Sequence, residues 1–110
     1  MVPEKPVAWL GSALADIRAF PRDARQEAGF ALDRIQQGFL PPDWKPMADV
    51  GPGVNEIRVR SGGQYRVLYV AKFEEAVYVL HAFQKKSRRT AQRDIDIGRR
   101  RYAMIRRPGR

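Results

Sequence analysis

Between Val54 and Phe83 the chain passes through three apolar-rich runs, 54–60, 64–73 and 77–83, separated only by Ser61-Gly62-Gly63 and Glu74-Glu75-Ala76. Gaps of three residues are too short for a crossover helix, so consecutive runs must fold back as antiparallel neighbours. Gly62 and Gly63 supply the positive φ angles that a tight hairpin needs. The first run alternates sharply, with Val54, Glu56, Arg58 and Arg60 on one face and Asn55, Ile57 and Val59 on the other. In the second, Tyr65, Val67, Tyr69 and Ala71 alternate against Arg66, Leu68 and Val70. A three-stranded antiparallel meander is the frame against which everything else must pack.

Ahead of this frame, Pro6–Leu10 is a short apolar run closed by Gly11, which reads as a first strand. Ser12 stands where an N-cap belongs, and Ala13, Leu14 and Ile17 recur at helical spacing up to Phe20. From Pro21 to Gly38 a second helix is predicted, its apolar stripe being Ala24, Ala28, Ala31, Leu32, Ile35 and Phe39. Residues 40–53 contain four prolines and two glycines and read as a loop pinned by Trp44 and Met47. After the meander, Thr90 reads as the cap of a last helix over about Ala91–Arg106. The predicted order is β-α-α-β-β-β-α, a small two-layer α+β fold with an antiparallel sheet and two helices on one face. One domain, 1–110, is expected, ending in a basic helix and tail over about 90–110.

That ending carries the charge. Residues 1–84 hold equal numbers of Lys/Arg and Asp/Glu, so residues 85–110 supply the entire net charge of +9. A neutral body with a strongly basic end points to a polyanionic partner. There is no Cys, which removes disulfides, thiolate zinc sites and a thiol nucleophile. One His and scattered carboxylates form no ligand pattern, and no phosphate-cradling glycine loop is present, so neither a metal nor a cofactor is expected. The first twenty residues lack the apolar core of a signal peptide, and no 18-residue apolar run occurs, so a cytoplasmic protein without membrane contact is expected.

Connectivity alone gathers the candidate site. Arg58 and Arg60 share a face of the first meander strand, and Arg66 lies just after the turn on its neighbour. The third meander strand runs back toward that turn and exits as Gln84-Lys85-Lys86-Ser87-Arg88-Arg89. Adjacent strands lie about 4.8 Å apart, so three strands set five cations, Arg58, Arg60, Arg66, Lys85 and Lys86, along one edge. Guanidinium forks and ammonium groups suit a phosphate and the extra negative charge of its pentacoordinate state. His81, mid-strand between Leu80 and Ala82, shares a face with Val77, Val79 and Phe83 by simple alternation, which favours a packing role. Tyr102 on the last helix also suits packing, with stacking on a base as the alternative.

The segments W-L-G-S-x-L-x-D-I-R-A-F-P, G-x-A-L-x-x-I-Q-x-G at Gly29–Gly38, P-P-D-W-K-P-M at Pro41–Met47 and V-N-E-I-R-V-R…Y-R-V-L-Y-V-A-K-F…V-Y-V-L-H-A-F-Q-K-K-S, followed by T-x-x-x-D-I, together resemble a phage-derived, HigB-like branch of the RelE/ParE toxin superfamily. The resemblance spans about residues 6–104. It implies the toxin of a type II toxin–antitoxin system, a ribosome-dependent mRNA endoribonuclease in which the message's own 2′-hydroxyl attacks the adjacent phosphate without a metal. Arg66 matches the strand arginine that stabilises the phosphate. Lys85 and Lys86 match the cationic position that protonates the leaving 5′-oxygen or clamps the phosphate, and Arg58 and Arg60 match basic strand residues. Tyr102 loosely matches a carboxy-terminal tyrosine of some members; Arg88, Arg89, Tyr102 and His81 are the candidate RNA-binding residues, with Arg88 and Arg89 also suited to a ribosome- or antitoxin-binding surface. No acidic residue matches the glutamate base of certain relatives. The implied partners are the ribosome and mRNA, a helix-turn-helix, HigA-like antitoxin, and operator DNA through that antitoxin. ParE-like members inhibit DNA gyrase instead, and an inactive nucleic-acid- or antitoxin-binding module is the third reading.

Overall fold

The computed structural model describes residues 4–105. The elements run β1 (Val7–Trp9), α1 (Ala13–Arg18), α2 (Arg22–Gln36), β2 (Trp44–Pro46), β3 (Val54–Arg60), β4 (Gln64–Val70), β5 (Val77–Lys85) and α3 (Gln92–Ile105). The strands form one sheet in the order β1-β5-β4-β3-β2. The meander β3-β4-β5 is antiparallel as expected, with Gly62 at φ +70° in the hairpin.

Three features differ from the expectation. First, β1 pairs parallel with β5, making the sheet mixed. Second, the proline-rich loop contains β2, which pairs antiparallel with β3, Lys45 opposite Glu56. Pro46 is tolerated because β2 is an edge strand with no outer neighbour to receive a proton. Both extra pairings involve strands of only three residues, too short to show an alternation. Third, α3 covers the face of the sheet opposite α1 and α2, so the fold has helices on both sides. Its Tyr102 and Ile105 pack with Val54, Leu68, Val70 and Leu80. Gly98 makes this approach close: a Cβ there would lie 2.9 Å from Val50 Cγ1 and 3.0 Å from Leu68 Cδ1.

The first face holds the larger core. Ala24, Ala28, Ala31, Leu32 and Ile35 of α2, with Ile17 and Phe20, bury Ile57, Val59, Tyr65, Val67 and Tyr69. Small alanines let the helix axis lie near the sheet while Leu32 and Ile35 fill the remainder. Phe39 does not join this stripe. The chain leaves the helix through a Schellman turn, Gly38 N–H donating to Ile35 C=O and Phe39 N–H to Arg34 C=O, with Gly38 at φ +94°. Phe39 is thereby turned outward and exposed, under the Arg34 guanidinium.

Both expected serine/threonine caps are otherwise employed. The Ser12 hydroxyl donates to Asp16 Oδ2 and receives Arg101, and caps no backbone N–H. The last helix starts at Gln92, while the Thr90 hydroxyl reaches 3.4 Å to Glu56 Oε2. The helix was expected to reach Arg106, which lies with the basic tail after it outside the described residues.

Candidate nucleic-acid interface

The site grows from the sheet register. Arg58 on β3 stands opposite Arg66 on β4, which stands opposite Phe83 on β5. One step on, Arg60, Gln64 and Lys85 form the next row, and one step back Lys45, Glu56, Leu68 and His81 form the previous one. Side chains in aligned rows of a pleated sheet share a face, here the face on which α3 packs.

A bulge decides what β5 contributes. Between Leu68 and Tyr69 the β4–β5 register slips, so that Leu68 pairs with His81 and Tyr69 with Val79. The extra residue reverses the alternation beyond it. Val77 and Val79 face α1 and α2, whereas His81 and Phe83 turn to the α3 side. The expectation that His81 shares a face with Val77 and Val79 fails for this reason; its sharing a face with Phe83 holds.

At the centre of the cluster is an ion pair. Glu56 is fully buried and Arg66 is 2% exposed, with Arg66 Nε 3.4 Å from Glu56 Oε1. The Arg66 guanidinium also donates to Tyr65 C=O at 3.0 Å and to Gln64 Oε1 at 2.8 Å. Glu56 Oε1, Arg66 Nε and Arg58 Nε are buried atoms without a hydrogen-bond partner among the described residues. The charges are thus held close by geometry but incompletely satisfied. Arg58 pairs loosely with Asp43, at 3.8 Å.

The electrostatics show how tightly the cations gather. Burial is the main cause lowering the Arg66 pKa, with Arg58 and Arg60 adding to it and Glu56 opposing. The Lys85 ammonium is likewise held below its ordinary value, first by desolvation and then by Arg66, with Lys45 and Arg58 contributing and Glu56 opposing. Arg58, Arg60, Arg66 and Lys85 are therefore brought into one field. Lys86, Arg88 and Arg89 are exposed on the connector from β5 to α3. Lys86 and Arg89 line a small pocket there with Phe83, Lys85, Arg93 and Asp94.

His81 and Tyr102 are buried. His81 Nε2 lies 2.7 Å from Asp94 Oδ1, and its ring stacks on Phe83. The Tyr102 hydroxyl donates to Pro52 C=O at 2.9 Å, which pins the 47–53 loop under α3. Among the described residues, no group of three or more His, Asp or Glu is placed to hold a metal.

Sequence reasoning missed Lys45, hidden in an apparent loop. It also undervalued Glu56, whose alternation with Arg58 was visible but whose complete burial was not. Asp94 was legible only as one of two acids in a basic segment.

A buried carboxylate ringed by Lys45, Arg58, Arg66 and Lys85 defines a protein that presents rigid positive charge on a sheet, a surface suited to phosphate. The chain belongs to the family described as Phage derived protein Gp49-like (DUF891), which matches residues 15–103. This is a phage-derived, toxin-like family of the RelE/ParE-like superfamily, consistent with the toxin of a toxin–antitoxin pair. A search of curated proteins finds no match. Among the described residues no helix is long and apolar enough to cross a membrane.

Proposed function

We propose that this protein is the toxin of a type II toxin–antitoxin system, of the HigB-like kind, and cleaves mRNA on the ribosome without a metal. The observation that carries the reading is the cross-sheet convergence of Arg58, Arg66 and Lys85, with Lys45, around Glu56. In the proposed reaction the RNA 2′-oxygen bonds to the adjacent phosphorus as its proton passes to solvent water. The P–O5′ bond breaks, leaving a 2′,3′-cyclic phosphate and a free 5′-hydroxyl.

The residues take distinct parts. Arg66, immobilised by Glu56, Gln64 and the Tyr65 carbonyl, supplies a fixed charge beneath the phosphate, preorganised as electrostatic catalysis requires. Arg58 and Arg60 flank it. Lys85 is part-exposed, and a lowered pKa brings an ammonium closer to the range in which it donates a proton, here to the leaving 5′-oxygen. Lys86, Arg88 and Arg89, together with Arg93, form the outer contact with ribosome and message. Glu56 acts as a counterion that makes the gathering of like charges tolerable.

The partner that restrains this activity is a helix-turn-helix antitoxin, which covers the basic face and carries operator binding. Primer extension on cellular mRNAs after induction tests the reading. New 5′ ends that appear only on translated messages support it, whereas continued translation with accumulating DNA breaks would establish gyrase inhibition.

A further inference from the structure

Beside the phosphate cluster a pocket of about 270 Å³ opens between the end of β5, the connector after it and the first turn of α3. Three chemistries meet in its walls: the half-buried ring of Phe83, the carboxylate of Asp94, and the cations Lys85, Lys86, Arg89 and Arg93. The ring and the carboxylate are fixed relative to each other through His81. Its imidazole stacks on Phe83 with centroids 5.0 Å apart and planes at 21°, and its Nε2 lies 2.7 Å from Asp94 Oδ1. His81 Nδ1 is buried with no hydrogen-bond partner among the described residues. A proton there would be stranded, so the ring carries its proton on Nε2 and aims it at Asp94.

A simple anion seat would gain nothing from a largely buried carboxylate among four cations, since that charge repels the ligand. The combination fits a ligand that is flat and apolar in its body, anionic at one end and a hydrogen-bond donor at the other. A nucleotide has this form. The position agrees, because Phe83 is the cross-strand neighbour of Arg66, so a ring stacked on it lies one strand spacing from the phosphate cluster.

We propose that this pocket receives one nucleobase of the bound RNA, stacked on Phe83 and read by Asp94. The carboxylate accepts from an exocyclic amino group, as carried by cytosine, adenine and guanine. Uracil has no exocyclic amino group, and its ring N3–H lies between two carbonyl oxygens that such a carboxylate repels, so it is disfavoured. Asp94 is then a specificity-determining residue, His81 is the positioning residue that orients it, and Lys85 holds the attached phosphate. The proposal rests on the RNA-cleaving reading, from which it takes its ligand.

The test is an NMR titration of the full chain with CMP, AMP, GMP, UMP and inorganic phosphate, following the amides of Phe83 and Asp94. CMP, AMP and GMP should bind at this pocket, with UMP weaker by about tenfold, the discrimination expected when one base-edge contact is lost. Phe83→Leu keeps an apolar side chain and should weaken every nucleotide by about tenfold through loss of stacking. Asp94→Asn can donate to a uracil carbonyl and should close the gap between UMP and CMP. Equal binding of the four nucleotides, affinity for CMP no better than for phosphate, or indifference to Phe83→Leu would each overturn the pocket. Binding is read without cleavage, so the two readings fail separately. A protein that cuts no message but shows this preference keeps the pocket and loses the nuclease. One that cuts with sites unchanged by Phe83→Leu and Asp94→Asn keeps the nuclease and loses the pocket.

Discussion

Arg58 and Arg66 face each other directly across the β3–β4 pair, two like charges at a position where sheets normally place complementary side chains. The arrangement survives because Glu56, two residues before Arg58, sends a fully buried carboxylate to within 3.4 Å of Arg66 Nε. A fold selected only for stability gains little from the buried Glu56–Arg66 pair, since it incurs desolvation that hydrophobic residues of the same volume avoid. Under the proposed function it is charge held in readiness for an anionic ligand.

Truncating Arg66 should therefore damage the fold as well as the site. Arg66→Ala leaves the Glu56 carboxylate buried and unpaired, a loss of about 3–5 kcal/mol for a broken buried pair. Urea denaturation checks this, and a stability within 1 kcal/mol of wild type, on the order of a surface substitution, would show that Glu56 is not held by Arg66.

Lys85 separates catalysis from folding. It is half-buried, near the end of β5. Lys85→Ala should leave the urea midpoint nearly unchanged while reducing mRNA cleavage on the order of a hundredfold, as for loss of one transition-state donor. Growth after induction and primer extension provide the readout.

The same residue gives a pH signature. Lys85 titrates below its ordinary value of 10.5 in the folded chain, chiefly through burial. In the window between its folded and unfolded values the unfolded chain binds more protons, so this group makes stability rise with pH there. Lys85→Gln should remove that rise, so the gap between the two proteins' urea midpoints should close as pH climbs toward 10.5. Cleavage should move the opposite way, falling as pH passes upward through the lowered value and the proton is lost.

Glu56 can be tested through its neighbour. Its charge opposes the lowering of the Lys85 pKa. Glu56→Gln keeps the shape and should push that pKa lower still, measurable by NMR titration of the Lys85 ammonium. An upward movement would contradict the cluster described here.

At Gly98 packing outweighs helix propensity. Alanine favours a helix interior by about 1 kcal/mol over glycine, yet its Cβ would press on Val50 and Leu68 at 2.9 and 3.0 Å. Gly98→Ala should be net destabilising by about 1–3 kcal/mol through overpacking, checked by thermal or urea unfolding.

Much of the meander was open to reading because alternation and short turns are local properties. Val54–Arg60 and the 61–63 turn set the antiparallel pairing, and with it the meeting of Arg58, Arg60, Arg66 and Lys85 at one edge. The Ala24–Ile35 stripe likewise declared which face of α2 is buried. Three things depended on contacts distant in sequence. The pairings of β1 and β2 come from strands too short to signal themselves, and β2 brings Lys45 into the cluster. The bulge beside Leu80 leaves no mark in the alternation of residues, and it sets His81 on the side of Asp94. Glu56 and Arg66 are buried together, with the Thr90 hydroxyl 3.4 Å from Glu56, so that residues legible as exposed charges became an internal pair. A sequence carries its hydrogen-bond periodicity in neighbouring residues, whereas the dielectric around a charge is set by whatever the rest of the chain places on top of it.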